Sequence, residues 1–316
     1  MFSDADRIAA RAICDAQLDG LDDLDFRRRC AEQAIRYFPG YETKELAAFL
    51  ISALRARRPL SVVRIGDGEG NILRLSPDFP ADPAPLDEKC FDAIFGLMNG
   101  AQLLGGHSEK VAFAERLAVA VRRADVIGFR AVWQDLPLER DLIARALERG
   151  EVRGAMGMLH ARQYEEELLR SNAMRGAAIT FAHCHLSLLD HLGSLLDVAQ
   201  SVIVVTGRVN LRAAFQERLG RRLDDFIEIP LEGVSCDDPA RSHHRADFPN
   251  IERRLAKGCA GALVLVGAGI FGKLYCQAAR DGGGVGLDLG SVMDVLAGLK
   301  TRPIHQGYDG YAWTSQ

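Results

Sequence analysis

Apolar positions in the first sixty residues recur every three or four residues, which is the period of an amphipathic helix. A Pro39-Gly40 pair interrupts this pattern, as turn-forming residues do. The predicted helices of this part of the chain are Ala9–Gln17, Phe26–Tyr37 and Leu46–Leu54. We therefore expect an N-terminal helical segment over residues 1–60.

From residue 61 onward, short apolar runs of strand length alternate with helical patterns. The predicted strands are Ser61–Ile65, Val126–Phe129, Ala177–Phe181, Val202–Thr206, Phe226–Ile229, Ala262–Val266 and Val285–Leu287. The predicted helices between them are Pro85–Met98, Ser108–Arg123, Leu138–Glu148, Asn210–Leu219, Ile251–Lys257 and Ile270–Arg280. Strands that are apolar throughout and separated by helices indicate an α/β fold, with a mostly parallel, Rossmann-like sheet covered by helices on both faces. We expect this domain at 61–300, a mobile loop within it at Glu232–Asn250, and a C-terminal tail at 301–316.

Composition and charge narrow the class of protein. The chain has 316 residues, 26% of them charged, and a net charge of −4, which argues against a non-specific nucleic-acid partner and leaves small anionic ligands open. Its seven cysteines are scattered without a CxxC pair, as expected of reduced thiols. The N-terminus carries acids where a signal peptide needs bases, and the longest apolar stretch, Ala262–Phe271, is about half as long as a membrane span. We expect a cytoplasmic protein without a transmembrane segment.

The first candidate site is the sequence Arg64-Ile65-Gly66-Asp67-Gly68-Glu69, which follows the end of a predicted strand. Open α/β sheets bind ligands at that end of their strands. In extended chain, the Asp67 and Glu69 side chains point to the same side, and Gly66 and Gly68 let the backbone approach a ligand closely. Two carboxylates without a soft ligand suit Mg²⁺ or Mn²⁺. A solvated turn is the alternative, because Asp and Gly favour turns.

The second candidate is a GxGxxG motif made by Gly267, Gly269 and Gly272, between a predicted strand and a predicted helix. Asp288 lies 21 residues beyond the first glycine, where a dinucleotide-binding fold places its ribose-binding acid. Only 28 residues follow Asp288, however, and a complete dinucleotide fold needs further strands. The motif therefore predicts a phosphate-binding turn at a helix N-terminus, with Lys273 close by. A purely structural tight turn is the alternative.

The third candidate consists of polar residues after the last predicted strand. Asp288 and Asp294 are placed to bind sugar hydroxyls or to act as a general base. Ser291 is placed to cap the helix that follows. Capping and turn formation are the alternative roles for both acids.

The combination of these motifs resembles the GT-D class of glycosyltransferases, typified by the DUF1792 family. RIGDGE is similar to that family's Asp-x-Glu (DXE) signature, with Asp67 and Glu69 as its acids. The stretch VGAGIFGKLYCQAARDGGGVGLDLGSVMDVLAG is similar to the family's terminal block, a glycine turn that leads through a helix to a D-hydrophobic-G-[H/S] motif. The resemblance spans residues 61 to 300. Ser291 stands where the typical family member has His, and Asp294 is the one acid retained nearby.

This resemblance implies a GT-D fold and a metal-dependent glycosyltransferase of the hexosyltransferase type. The donor would be a nucleotide-diphosphate sugar, a UDP-sugar first, and the acceptor a carbohydrate in polysaccharide or glycan assembly. By the resemblance, Asp67 and Glu69 hold Mn²⁺ or Mg²⁺ and count among the catalytic residues, together with Asp288 and Asp294 as candidates for the base or for orienting the sugar. The residues expected to bind the donor are Arg64, Gly66, Gly68, Gly267, Gly269, Gly272, Lys273 and Ser291.

Two other functions stay open on the sequence. A Rossmann-type oxidoreductase or methyltransferase would bind NAD(P) or S-adenosylmethionine at Gly267–Gly272 and leave RIGDGE without a role. A non-catalytic nucleotide-sugar-binding protein on the same fold would bind the nucleotide without turnover.

Overall fold

Eight strands alternate with helices along the chain in a computed structural model, which describes residues 2–18, 20–40, 43–79, 81–132, 138–174, 176–235 and 238–314. The strands are β1 Arg36–Phe38, β2 Leu60–Arg64, β3 Val126–Phe129, β4 Ala178–Phe181, β5 Ser201–Thr206, β6 Leu223–Glu228, β7 Ala262–Gly267 and β8 Val285–Asp288. They form one parallel sheet of order β1-β4-β3-β2-β8-β7-β5-β6. The predicted α/β fold class is therefore confirmed.

The α-helices account for most of the remaining ordered chain. They are α1 Asp4–Leu18, α2 Asp23–Gln33, α3 Lys44–Arg55, α4 Asp67–Leu73, α5 Pro85–Met98, α6 His107–Arg122, α7 Glu139–Glu148, α8 Val152–Arg170, α9 Cys184–Ser187, α10 Leu189–Val198, α11 Leu211–Leu219, α12 His243–Ala246, α13 Phe248–Lys257, α14 Gly272–Asp281 and α15 Val292–Leu296. Among the described helices, none has both the length and the hydropathy needed to cross a membrane.

The chain divides into two compact units. Unit 1 consists of Met1–Tyr41, Arg64–Leu97 and Leu103–His183, and unit 2 of Glu42–Val63, Met98–Gln102 and Cys184–Gln316. The domain boundaries expected from the sequence, at residues 60 and 300, stay a prediction.

Unit 1 is built on β1, β4 and β3, which pair in parallel in that order. Every residue of β3 and β4 is buried. Because successive side chains of a strand point to opposite faces, both faces of these strands are covered. The long helix α8 packs against α4, α7 and α1.

In unit 2, the strands pair in the order β2-β8-β7-β5-β6, again all in parallel. The register places Thr206 beside Gly267 and Val266 beside Asp288. The strands β5, β7 and β8 therefore end together at one edge of the sheet, where the residues that follow them are neighbours.

The structure differs from the predicted elements in three places. The predicted helix Phe26–Tyr37 ends early, because Ala34 is extended (ψ 139°) and Arg36–Phe38 pairs with β4 as a strand. The helices α4, α8, α9 and α10 were not predicted. The predicted loop Glu232–Asn250 contains α12 and the start of α13, and its residues 236 and 237 lie outside the described part of the chain.

Candidate functional site

Three basic residues of unit 1 stand at the ends of strands. Arg64 is the last residue of β2, Arg130 directly follows β3, and His183 follows β4 by two residues. The Arg64 side chain donates through Nη1 to the Ala182 carbonyl at 2.9 Å. Gly128 in β3 makes room for it, since a Cβ there would lie 3.2 Å from Arg64 Cγ. Arg64 and Arg130 form the cationic part of the unit 1 site, with His183 close to both guanidinium groups.

The charges of this cluster act on its histidine. Burial and the neighbouring guanidinium groups of Arg130 and Arg64 lower the pKa of His183 to about 3. His183 is therefore a neutral imidazole at physiological pH.

The predicted metal pair lies in a helix and not in extended chain. Asp67 begins α4, and Glu69 Oε2 accepts a hydrogen bond from the Gly66 N–H at 2.9 Å. Residues two apart in an α-helix are separated by about 200° around its axis. The expectation that the two carboxylates point to the same side does not hold for this segment. Glu69 is buried and helps to start the helix, while Asp67 is only half-buried.

Asp67 is the acid of the pair that is available to a ligand. In the part of the chain that the structure describes, its carboxylate has no ion pair and no side-chain hydrogen bond. It does lie within the electrostatic reach of Arg130. Burial opposes the charge of Arg130, but the Glu139 and Asp67 carboxylates outweigh this and hold its pKa above the ordinary value. The Arg130 side chain is fixed by Glu139, with Nε 2.6 Å from Oε1.

Glu165 on α8 lies beneath this cluster and is completely buried. Its Oε1 accepts the backbone N–H of Arg130 at 2.9 Å. Burial raises the pKa of Glu165 to about 8, so this carboxyl group is mostly neutral near pH 7. An uncharged acid at this position supports the Arg130 backbone without neutralising the cationic edge.

The raised pKa makes the stability of the protein depend on pH. The pKa of Glu165 is about 8 in the folded state, whereas the ordinary value for this side chain is 4.5. Between these two pH values, the folded chain therefore binds more protons than the unfolded chain. Stability then falls as pH rises through this window. In Glu165→Gln, which keeps the shape, we expect that part of the slope to disappear, so that the variant gains stability relative to wild type from pH 5 to pH 8. Urea unfolding at several pH values measures this, with the exposed Glu148→Gln as control. Parallel profiles for wild type and Glu165→Gln would contradict the assignment.

The position of Asp67 depends on a contact between two glycines. A Cβ on Gly70 of α4 would lie 2.1 Å from the Gly157 carbonyl oxygen, and a Cβ on Gly157 of α8 would lie 2.1 Å from that of Asp67. Asn71 adds a hydrogen bond across the same helices, from Nδ2 to the Arg153 carbonyl at 2.9 Å. Only glycine at both positions allows the two backbones to approach this closely.

We expect Gly157→Ala to destabilise the protein by about 1–3 kcal/mol or more and to displace Asp67, because the added methyl group overlaps backbone that cannot move aside alone. Gly154→Ala on the same helix is the matched control. The nearest atom to its added Cβ is 3.9 Å away, so only the higher helix propensity of alanine remains. Urea unfolding of both variants checks the prediction, and equal changes in stability would contradict it.

In unit 2, the glycine motif forms a tight turn after β7. Gly267 ends the strand, Gly269 has a positive φ of 51°, and α14 begins at Gly272. A Cβ on Gly267 would lie 2.4 Å from Met293 Cγ, and a Cβ on Gly269 would lie 2.5 Å from Met98 Sδ. Side chains of unit 2 thus occupy the space beside these two glycines, which accounts for the glycines by packing and backbone conformation. The predicted phosphate contact stays a prediction.

Lys273 and Asp288 form a buried ion pair behind this turn. Lys273 Nζ lies 2.9 Å from Asp288 Oδ2, and the two side chains are 2% and 0% exposed. Nζ also donates to the Gly269 carbonyl at 3.3 Å. The structure therefore places the Lys273 ammonium group inward, where it neutralises Asp288 and holds the turn.

The other polar residues of this edge are also paired. Asp294 Oδ1 accepts from Arg208 Nε at 2.6 Å, and its second oxygen accepts from the Thr301 hydroxyl. Ser291 Oγ lies 3.0 Å from His305 Nε2, and burial lowers the pKa of His305. Arg208 follows β5 and Asp294 follows β8, so this ion pair connects the segments that follow these two strands of unit 2. The sequence does not indicate the pairing of His305 with Ser291.

A comparison with known protein families covers the candidate site residues of both units. A family model described as a GT-D fold-like domain matches residues 41–296, which include the segments Arg64–Glu69 and Gly267–Asp294. The chain belongs to this GT-D-like family. Neither a curated protein nor a solved structure matches the chain. The family resemblance expected from the motifs is confirmed, and with it a glycosyltransferase-like fold.

The GT-D-like chain brings predicted site residues together in small groups within each unit. In unit 1, Asp67 lies near Arg130, and Glu69 closes onto Gly66. In unit 2, the groups are the Lys273–Asp288 pair, with Gly272 beside Asp288, and separately Asp294 with Arg208. Sequence reasoning missed Arg130, although it directly follows a correctly predicted strand, β3. Its position directly after the strand was the sequence feature by which Arg130 could have been identified.

The acidic side chains of the unit 1 site fit a divalent cation only if substrate phosphates supply further ligands. Among the described residues, no group of three or more His, Cys, Asp or Glu side chains is arranged to hold a metal ion. Glu69 already accepts the Gly66 N–H. Mg²⁺ is commonly held by one or two carboxylates together with substrate phosphates. Asp67 of the GT-D-like domain, half-buried and without an ion pair in the described chain, fits that mode.

Proposed function

We propose that this chain is a metal-dependent glycosyltransferase that moves a sugar from a nucleotide-diphosphate sugar, with a UDP-sugar as the first candidate, to a carbohydrate acceptor. One observation carries the proposal. Asp67, in a segment matched by the GT-D-like family model, is an accessible carboxylate without an ion pair among the described residues, beside the strand-end cation Arg130. A carboxylate next to fixed cations suits a cation-bound diphosphate better than a bare anion or a neutral ligand.

The residues of unit 1 have separate tasks in this proposal. Asp67 would hold Mn²⁺ or Mg²⁺, which supplies positive charge against the diphosphate leaving group. The guanidinium groups of Arg64 and Arg130 are held at the strand ends, so they can bind phosphate oxygens without reorganising. Glu69 acts indirectly, because its bond to Gly66 fixes the start of the helix that carries Asp67.

For the general base, we propose Asp294 before Asp288. The Asp288 side chain is fully buried against Lys273, whereas that of Asp294 is 13% exposed. The Arg208 guanidinium keeps Asp294 in one orientation, which suits a group that orients or deprotonates a sugar hydroxyl. Asp288 has a structural role in this account.

A non-catalytic nucleotide-sugar-binding protein is the second candidate. The observation in its favour is that the two predicted acids of unit 2, Asp288 and Asp294, each form an ion pair within the chain. It predicts the same nucleotide binding, with no transfer and no donor hydrolysis. A role in polysaccharide or glycan assembly belongs to the main proposal through the family resemblance alone, and a cytoplasmic location through the scattered cysteines and the N-terminal sequence.

A screen of released nucleotide tests the function directly. Purified protein is incubated with UDP-, GDP- and other nucleotide-diphosphate sugars in Mn²⁺, in Mg²⁺ and in EDTA, with and without mixed glycan acceptors. We expect nucleotide release from one donor class that is lost in EDTA. Tight binding of NAD(P) or S-adenosylmethionine that is indifferent to metal, with no donor turnover, would instead support the Rossmann-type alternative.

A further inference from the structure

The C-terminal segment, residues 299–314, packs back onto two helices of unit 2. The Trp313 N–H donates to the Leu296 carbonyl of α15 at 2.7 Å. The Trp313 ring meets the Phe215 ring of α11 edge to face, with 4.9 Å between the centroids, and the Arg218 guanidinium of the same helix lies 4.3 Å from the Trp313 ring centroid. These contacts hold the last described residues of the chain on α11 and α15.

The earlier part of the C-terminal segment contacts the beginning and the middle of α15. His305 Nε2 lies 3.0 Å from Oγ of Ser291, the residue that precedes the helix. The Leu299 N–H donates to the Asp294 carbonyl at 2.8 Å. The segment is therefore attached to α15 on both sides of Asp294, the acid that the proposed function selects as the general base.

Thr301 of this segment brings a hydroxyl group to the Asp294 carboxylate. Its Oγ1 donates to Asp294 Oδ2, while Arg208 Nε donates to Asp294 Oδ1 at 2.6 Å. Each oxygen is thus held from a different part of unit 2, which fixes the rotation of the carboxylate plane. A carboxylate offers about four lone-pair positions. These two bonds, the ones that side chains of the described residues make to it, leave positions for a hydrogen of the acceptor.

The exposure of Thr301 separates its function from stability. Thr301 is exposed, whereas the Asp294 side chain that it contacts is only 13% exposed. Substitutions of exposed residues usually change the free energy of unfolding very little. Thr301 also lies beyond residues 41–296, which the GT-D-like family model matches, so membership of the family assigns it no role. Its contact with the acid points to a task in the reaction of this particular chain.

We propose that Thr301 is a positioning residue, which orients the Asp294 carboxylate toward the hydroxyl group of the carbohydrate acceptor. The proposal rests on the proposed function. In that reaction the acceptor O–H bond breaks and its proton passes to Asp294. The electron pair of the oxygen forms the new bond to the transferred sugar, and the nucleoside diphosphate leaves. A carboxylate already held by Arg208 and Thr301 does not have to reorganise when the acceptor binds.

Acceptor-dependent release of nucleotide tests the proposal. It is the rate with the mixed glycan acceptors of the screen above minus the rate without them, at a saturating concentration of the preferred donor. Thr301→Val keeps the shape and removes the hydroxyl, so we expect a rate about tenfold or more lower, the effect of losing a hydrogen bond to a charged group. Thr301→Ser keeps the hydroxyl and should retain most of the wild-type rate. Both variants should bind the corresponding nucleoside diphosphate in Mn²⁺ as wild type does and unfold at the same urea concentration.

Thr314→Val is the matched control, because the Thr314 hydroxyl lies in the same segment and accepts from Asn210 Nδ2 at 3.3 Å instead of contacting an acid. It should transfer at the wild-type rate. In an active enzyme, a Thr301→Val variant as fast as wild type, or a Thr301→Ser variant as slow as Thr301→Val, would overturn this inference alone. A wild-type chain that releases no nucleotide from any donor would overturn the proposed function, and this inference with it.

Discussion

We expect Asp288→Asn to lower the free energy of unfolding by about 3–5 kcal/mol, the cost of breaking a buried ion pair by removing one partner. The substitution keeps the shape of the side chain and removes only its charge. The Lys273 ammonium group, which is 2% exposed and lies 2.9 Å from Asp288, then loses the charge of this carboxylate in a buried position. Because Nζ also binds the Gly269 carbonyl at 3.3 Å, the glycine turn should loosen as well.

Two further variants separate charge from other effects. The double variant Lys273→Met with Asp288→Asn removes both charges, and should recover a large part of the lost stability, since paired removal is often close to neutral. Asp224→Asn changes an exposed acid on β6 of the same unit and should stay within about 0.5 kcal/mol of wild type. Urea unfolding measures all of them. An Asp288→Asn variant as stable as Asp224→Asn would show that the buried pair does not exist.

The parts of the fold that could be predicted were those determined by local pattern. The strand Val126–Phe129 and the helix Pro85–Met98 have the bounds that their apolar residues indicate. In both, burial follows directly from the spacing of apolar side chains, so no distant partner is needed to recognise them.

Helix α8 could not be recognised in this way, because two of its buried residues have ionisable side chains. Arg162 is 0% exposed, lies 3.7 Å from the centroid of the Phe26 ring and contacts Asp23. Glu165 is buried beside Arg130. Both depend on residues far away in the sequence. The helix α4 was missed for a related reason, since its Asp-Gly composition indicates a turn until the contact of Gly70 with Gly157 is known.

The candidate site was predictable in position but not in pairing. Open α/β sheets bind ligands at the carboxyl ends of their strands. This rule was enough to select Arg64, Asp67 and Asp288, which lie at or just after strand ends. The sequence does not show that Asp288 is closed off by Lys273, because this contact is made across α14 and β8. Nor does it show that Glu69 turns back onto Gly66.

We expect Asp67→Asn to reduce metal-dependent release of nucleotide from the preferred donor by about 100-fold or more, comparable to the loss of one preorganised electrostatic group. Asparagine keeps the size and an oxygen but loses the charge that holds a divalent cation. Asp82→Asn is the matched control, because Asp82 is exposed in the same unit and uses its backbone carbonyl, not its carboxylate, in its bond to Arg74. Both variants should unfold at the same urea concentration as wild type.

The role of Asp67 is tested most directly by calorimetric titration of wild type and Asp67→Asn with UDP and GDP, in Mn²⁺ and in EDTA. Our account predicts that wild type binds one nucleoside diphosphate at least tenfold more tightly in Mn²⁺ than in EDTA, and that this difference vanishes in Asp67→Asn. Equal affinity of wild type in Mn²⁺ and EDTA, or an Asp67→Asn variant that retains the full metal dependence, would contradict it.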